Sequence, residues 1–172
     1  LLNHLRNPKN LWKTLNDLCG EDSEFDNKLE IHFSGNIDIE VLTEISDFPK
    51  LKEKIKNLGY LSHAEVLKQY NEASLLLLLL FNSKSGVGNY PGKIFEYFAA
   101  QKPILAFGPE GSDTQRLINE TKSGLFFNYD SENLKNEILN IFNGKNEFKT
   151  EGLEKFSREK LAKDLSILLS NL

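Results

Sequence analysis

An α/β domain, built on a parallel sheet with helices on both faces, is the fold this sequence predicts. Short apolar runs alternate with stretches whose apolar residues recur every three or four positions. The connections between them are short and carry Gly, Pro, Asn and Ser, as βα and αβ turns do. The run Leu75–Phe81 is apolar on both faces, which suits a strand covered by helices on each side.

Taken in order, Asn7-Pro8 ahead of Leu11, Trp12, Leu15 and Leu18 reads as a helix capped by Asn7 and stopped by Gly20. Leu29–Gly35 alternates and ends in glycine, a strand running into a turn. Ile37, Val41, Ile45 and Phe48 keep helical spacing up to Pro49, and Lys54–Gly59 is a second short strand. Ser62 and Glu65 stand three apart and can satisfy each other's free amides, a capping box that opens a helix through Tyr70 and Ala73. Leu75–Phe81 is expected to be the central strand. Pro91 opens a helix over Ile94–Ala100, Lys102–Phe107 is a strand, and Ser112 or Asp113 caps a helix to Lys122. Gly124–Phe127 makes the last strand, and Asp130 or Ser131 caps a helix to Phe142. After a polar stretch, Asn143–Thr150, apolar residues at Phe156, Leu161, Leu165, Leu168 and Leu169 give a terminal helix. The expected organisation is one domain over residues 1–142, with a loop and helix over 143–172 packing on it. Five strands are counted, and a sixth, leading strand is expected ahead of residue 1. The absence of methionine likewise suggests a piece of a longer protein.

Composition narrows the function. With 21 Lys plus Arg against 25 Asp plus Glu, no basic stripe could neutralise a run of phosphates, so a nucleic-acid partner is not expected. One cysteine and three scattered histidines, His4, His32 and His63, supply no closed metal site; a metal-free, cytoplasmic protein is expected. The longest apolar run has seven residues, Leu75–Phe81, against roughly 20 for a spanning helix.

In an open parallel sheet, ligands gather beyond the carboxyl ends of the strands. The loop Asn82–Gly92 is the richest of those ends. It holds Gly86, Gly88 and Gly92 and delivers Pro91-Gly92-Lys93 to a helix start. A helix N-terminus leaves amides unpaired and partly positive, so an anion gains up to about 2 kcal/mol there. Lys93 adds a full charge, and Glu96 lies on the same face, where a carboxylate would accept from sugar hydroxyls. Two readings stand side by side: a nucleotide-sugar cradle, or an exposed Lys93/Glu96 helical pair worth about 0.2–0.5 kcal/mol. Gly86-Val-Gly88-Asn-Tyr-Pro91 does not fit a dinucleotide fingerprint, and no P-loop is present. His63 reads as a solvated first-turn residue and His32 as a packing residue without a partner. Lys50, Lys52, Lys54 and Lys56 read as lysines guarding an edge strand rather than a lipid-binding face. Ser85 lacks a nucleophile-elbow setting.

The stretch Tyr90-Pro-Gly-Lys-Ile-Phe-Glu-Tyr-Phe-Ala-Ala-Gln-Lys-Pro-Ile-Leu-Ala106 resembles the signature of the C-terminal half of GT-B glycosyltransferases, especially those related to glycosyltransferase family 4. Phe33-Ser-Gly35, Leu58–His63, Ala73–Leu78 and Ile118–Gly124 follow in the same order, so the likeness runs from Arg6 to Phe142. It implies a Rossmann-like domain that holds a nucleotide-diphosphate sugar as donor substrate, with no other cofactor. A separate N-terminal domain of the same chain would bind a carbohydrate or lipid-linked acceptor, and peripheral membrane association of the longer protein stays open. By the same resemblance Glu96 grips the ribose, Gly92 and Lys93 meet the diphosphate, and Tyr60 and Leu61 lie beside the base. Arg6 matches a basic residue that pairs with the phosphates, and Lys93 and Arg6 carry the catalysis. Transfer is expected to be retaining and metal-independent, and this piece alone inactive. The first of the two family glutamates is absent: its position is Gly88. That departure keeps a nucleotide-sugar epimerase and a non-catalytic nucleotide-binding scaffold as alternatives, and leaves base, sugar, acceptor and stereochemistry open.

Overall fold

The computed structural model describes residues 2–170. Helix α1 (Lys9–Glu21) and the short α2 (Ser23–Lys28) lead into β1 (Ile31–Phe33), α3 (Ile39–Ser46) and β2 (Ile55–Asn57). Then α4 (His63–Glu72), β3 (Leu76–Leu79), α5 (Lys93–Ala100), β4 (Ile104–Phe107), α6 (Asp113–Thr121) and β5 (Gly124–Phe127) alternate strictly. Helices α7 (Leu134–Phe142) and α8 (Arg158–Ser170) close the chain.

Every strand pairing is parallel, and helices cover both faces, giving the expected Rossmann-like α/β architecture. The period of two along the strands sorts the core into two layers. Leu76, Leu78, Ile104 and Ala106 pack on α4, α5 and α6 through Tyr70, Ile94, Tyr97, Phe98, Leu117 and Ile118. Leu75, Leu77, Leu79, Leu105 and Phe107 face the opposite layer, where α1, α3 and α7 supply Trp12, Leu18, Val41, Ile45 and Leu134. Full burial of one such aliphatic side chain stabilises by about 1.5–3 kcal/mol, so this alternation fixes which helices lie on which face.

The sheet differs from expectation. β1 and β2 form one pair, while β3, β4 and β5 form a separate three-stranded sheet with β4 in the middle. Leu75–Phe81 therefore supplies an edge strand rather than the central one. Residues 2–5 touch the chain just beyond β1 and β3. Leu2 bridges Ile37 in parallel, donating to the Asn36 carbonyl at 3.1 Å, and Leu5 accepts from the Asn82 amide at 2.8 Å.

Local chemistry explains other departures. Asn7 caps nothing: its Oδ1 accepts from Trp12 Nε1 at 2.7 Å and its Nδ2 donates to Glu44 at 2.5 Å, fastening α1 to α3. Gly20 lies inside α1, and the chain turns instead at Asp22, whose side chain accepts from the Glu24 and Phe25 amides to start α2. Neither Asp130 nor Ser131 caps α7; the Asn128 side chain holds both in a turn, accepting from the Asp130 amide and the Ser131 hydroxyl. His32 has partners after all, Gln69 at 3.2 Å and Glu30 at 3.0 Å, on the exposed face of β1. In the terminal segment, Leu153 and Phe156 reach the α4–α5–α6 layer. Leu161, Leu165, Leu168 and Leu169 of α8 are exposed. Among the described residues, no helix is long and apolar enough to cross a membrane.

Candidate functional site

The carboxyl ends of β3 and β4 open into the loops 82–92 and 108–112, next to the start of α5. The 82–92 loop is held rather than free. Val87 accepts from the Asp113 amide at 2.9 Å, and the Asn89 carbonyl accepts from the Thr114 hydroxyl at 2.6 Å, tying it to α6. Gly86 folds against the end of β3 so closely that a Cβ would sit 2.2 Å from the Phe81 carbonyl oxygen; only glycine fits.

This loop sets the first turn of α5 in the open. No side chain caps the helix. The amides of Ile94 and Phe95 donate to the Pro91 and Gly92 carbonyls, at 2.9 and 3.2 Å. Those of Gly92 and Lys93 have no backbone acceptor among the described residues. Space beside Gly92 is empty: an added Cβ would meet nothing within 4 Å. The same holds at Gly88.

Two cations converge on this turn from segments far apart in sequence. Arg6 ends a 3-10 turn, His4–Arg6, and its guanidinium lies 3.7 Å from the centre of the Phe81 ring. Lys93 stands on the first turn of α5, 5.9 Å from the centre of the Tyr97 ring. Desolvation pulls the Lys93 ammonium below the ordinary lysine range; Glu96 acts against that shift and the Arg6 charge adds to it. The Arg6 charge is thus felt at Lys93. Neither cation forms an ion pair among the described residues, and Arg6 Nε is buried without a hydrogen-bond partner. An anion at the open first turn of α5 would relieve the repulsion between these two charges.

Glu96 is half-buried one turn further on, over Tyr70 and Tyr97, whose rings meet edge to face at 4.9 Å. Burial first, then the Glu96 charge, pushes the Tyr70 phenol up. Tyr97 is raised still more by burial and donates to the Leu77 carbonyl at 3.1 Å, which fixes α5 on β3. Arg6, Gly92, Lys93 and Glu96 are therefore brought together. Tyr60 and Leu61 stand on another segment. They occupy the β2–α4 loop ahead of the Ser62/Glu65 capping box, which forms as expected, and Tyr60 is 92% exposed.

Phe81 and Asn82 were not singled out by sequence spacing. Phe81 supports Arg6, and Asn82 donates to Leu5 one residue earlier. The available signal was their position, directly beyond the apolar run. Two surface hollows are lined by neighbouring residues but not by Lys93, Glu96 or Arg6, one by Tyr90, Phe95, Phe156 and Leu161, the other by His4, Asn7, Ile39 and Glu44. Among the described residues no cluster of His, Cys, Asp or Glu is placed to hold a metal ion.

No protein-family model and no curated protein matches the chain. Solved structures do. The crystal structure of Anabaena Alr3699/HepE in complex with UDP superposes with a TM-score of 0.69 over 99% of this chain, at 16% identity. This is a glycosyltransferase-like fold. A glycosyltransferase from Rickettsia africae ESF-5 matches 83% of the chain with a TM-score of 0.59 at 18% identity. The chain spans 48% and 35% of these two proteins' lengths, so the glycosyltransferase-like fold seen here corresponds to about half or less of each.

Proposed function

We propose that this chain is the donor-binding half of a glycosyltransferase of GT-B architecture, related to family 4, which takes a sugar from a nucleotide diphosphate. The observation that carries the proposal is the α5 corner: unpaired Gly92 and Lys93 amides, with the Lys93 and Arg6 cations in no ion pair among the described residues. HepE, which shares the fold, is bound to UDP, a ligand whose diphosphate suits such a corner.

The chemistry follows from charge. As the bond between sugar and diphosphate loosens toward an oxocarbenium-like state, negative charge grows on the leaving diphosphate. Amides and cations already in place stabilise that charge without reorganising. Glu96 accepts from the ribose hydroxyls and so fixes where the diphosphate lies. Tyr60 and Leu61 border the base. Transfer is retaining and independent of a metal ion in this reading, and a partner domain of the same longer chain supplies the acceptor side in the cytoplasm.

Activity is tested on the longer protein with a panel of nucleotide sugars and acceptors. Product of transfer supports the reading. Epimerised donor would replace it with an epimerase, and donor binding without turnover with a non-catalytic domain, the outcome that Gly88 in place of a carboxylate makes worth testing. Residues 1–172 alone are expected to bind UDP weakly, with Kd about 0.1–1 mM, and not to turn over.

A further inference from the structure

We propose that Phe81 is a positioning residue for Arg6: its ring is the platform that holds the guanidinium beside Lys93 at the open end of α5. The role in ligand binding rests on the diphosphate reading of this corner; the stacking itself does not.

An arginine carries among the largest rotamer freedoms of any side chain, so a useful cation must be held by something. Arg6 has no carboxylate to hold it, and its Nε, though buried, has no hydrogen-bond partner among the described residues. What it has is the ring of Phe81, 3.7 Å from its Cζ and well inside the roughly 6 Å reach of a cation–π contact. A planar, delocalised guanidinium suits such a face as an ammonium does not.

The platform is itself fixed. The Leu80 amide donates to the Phe107 carbonyl at 2.8 Å, continuing the β3–β4 ladder by one residue. The buried Tyr129 hydroxyl donates to the Leu80 carbonyl at 2.6 Å. On the far side, Asn82 donates to Leu5, the residue next to Arg6. Gly86 allows the loop to close directly on the Phe81 carbonyl. The end of β3 thus clamps both the ring and the turn that carries the cation, and the two meet as one unit. Loss of the ring leaves the charge in the molecule but not in its place.

The test is a double-mutant cycle of Phe81→Leu and Arg6→Ala, with UDP affinity as one readout and the NMR resonance of the Arg6 Nε–H as another. Phe81→Leu should weaken UDP binding roughly fivefold when Arg6 is present and leave it unchanged in the Arg6→Ala background. Phe81→Tyr should restore binding, because it keeps the ring. An equal loss in both backgrounds would overturn the proposal, since Phe81 would then act through general packing. Lys93→Ala distinguishes the underlying reading: if it leaves UDP affinity unchanged, the diphosphate assignment falls. The stacking is then judged on the Nε–H resonance alone, which ring-current shielding holds upfield. A downfield move in Phe81→Leu supports the platform, and an unmoved resonance refutes it.

Discussion

Helices α5 and α6 both begin just beyond carboxyl ends of the same three-stranded sheet, yet their first turns are finished in opposite ways. At α6, Ser112 is fully buried and accepts from the Gln115 amide, the Asp113 amide goes to Val87, and the Gln115 side chain turns back to the Gly111 amide. The Gly111, Asp113 and Gln115 amides are thereby satisfied. At α5 no side chain caps, the Gly92 and Lys93 amides have no backbone acceptor among the described residues, and Lys93, whose ammonium feels the Arg6 charge, stands on that first turn. A helix start closed by its own side chains serves stability; one left open beside unmatched positive charge is suited to a ligand.

The largest effect should come from closing the open turn. Gly92→Asp places a carboxylate where an added Cβ meets nothing, so the fold should tolerate it. UDP binding should vanish while thermal stability stays the same or rises; calorimetric titration and a melting curve check both. Next, Lys93→Ala should weaken UDP about tenfold or more, the size expected for losing a charged hydrogen-bond donor. Ser112→Ala should do the reverse, costing about 1 kcal/mol of stability in chemical denaturation and leaving UDP affinity alone. If both substitutions affected the same property, the contrast between the two turns would fail.

The smallest effect concerns pH. Because the Lys93 pKa is shifted below the ordinary lysine value, its charge is lost at a somewhat lower pH than usual for lysine. UDP affinity should therefore decline on the alkaline side before about pH 10, the normal lysine range. Lys93→Arg, charged throughout, should remove that part of the decline; measuring both proteins with UDP at each pH cancels any change in the nucleotide.

Features set by neighbouring residues were the legible ones. The Ser62/Glu65 box, the Gly124–Phe127 strand and the Lys93/Glu96 pair each depend on chemistry within a few positions, so spacing alone reveals them. What spacing missed is tertiary. Asn7 looks like a cap in sequence, but Trp12 and Glu44 claim its side chain. His32 appears partnerless until β1 and α4 bring Gln69 to it. Leu75–Phe81 is apolar enough for a central strand, whereas strand order places it at the edge of its sheet. Arg6 was legible only through resemblance, and its platform Phe81 not at all, because the pair forms across distant segments.

The most direct measurement is a backbone NMR titration of residues 1–172 with UDP. The largest shifts should fall on Gly92, Lys93 and Glu96, with Arg6 moving alongside them. Shifts gathered instead around Phe95, Phe156 and Leu161, or at the first turn of α6, would contradict the account.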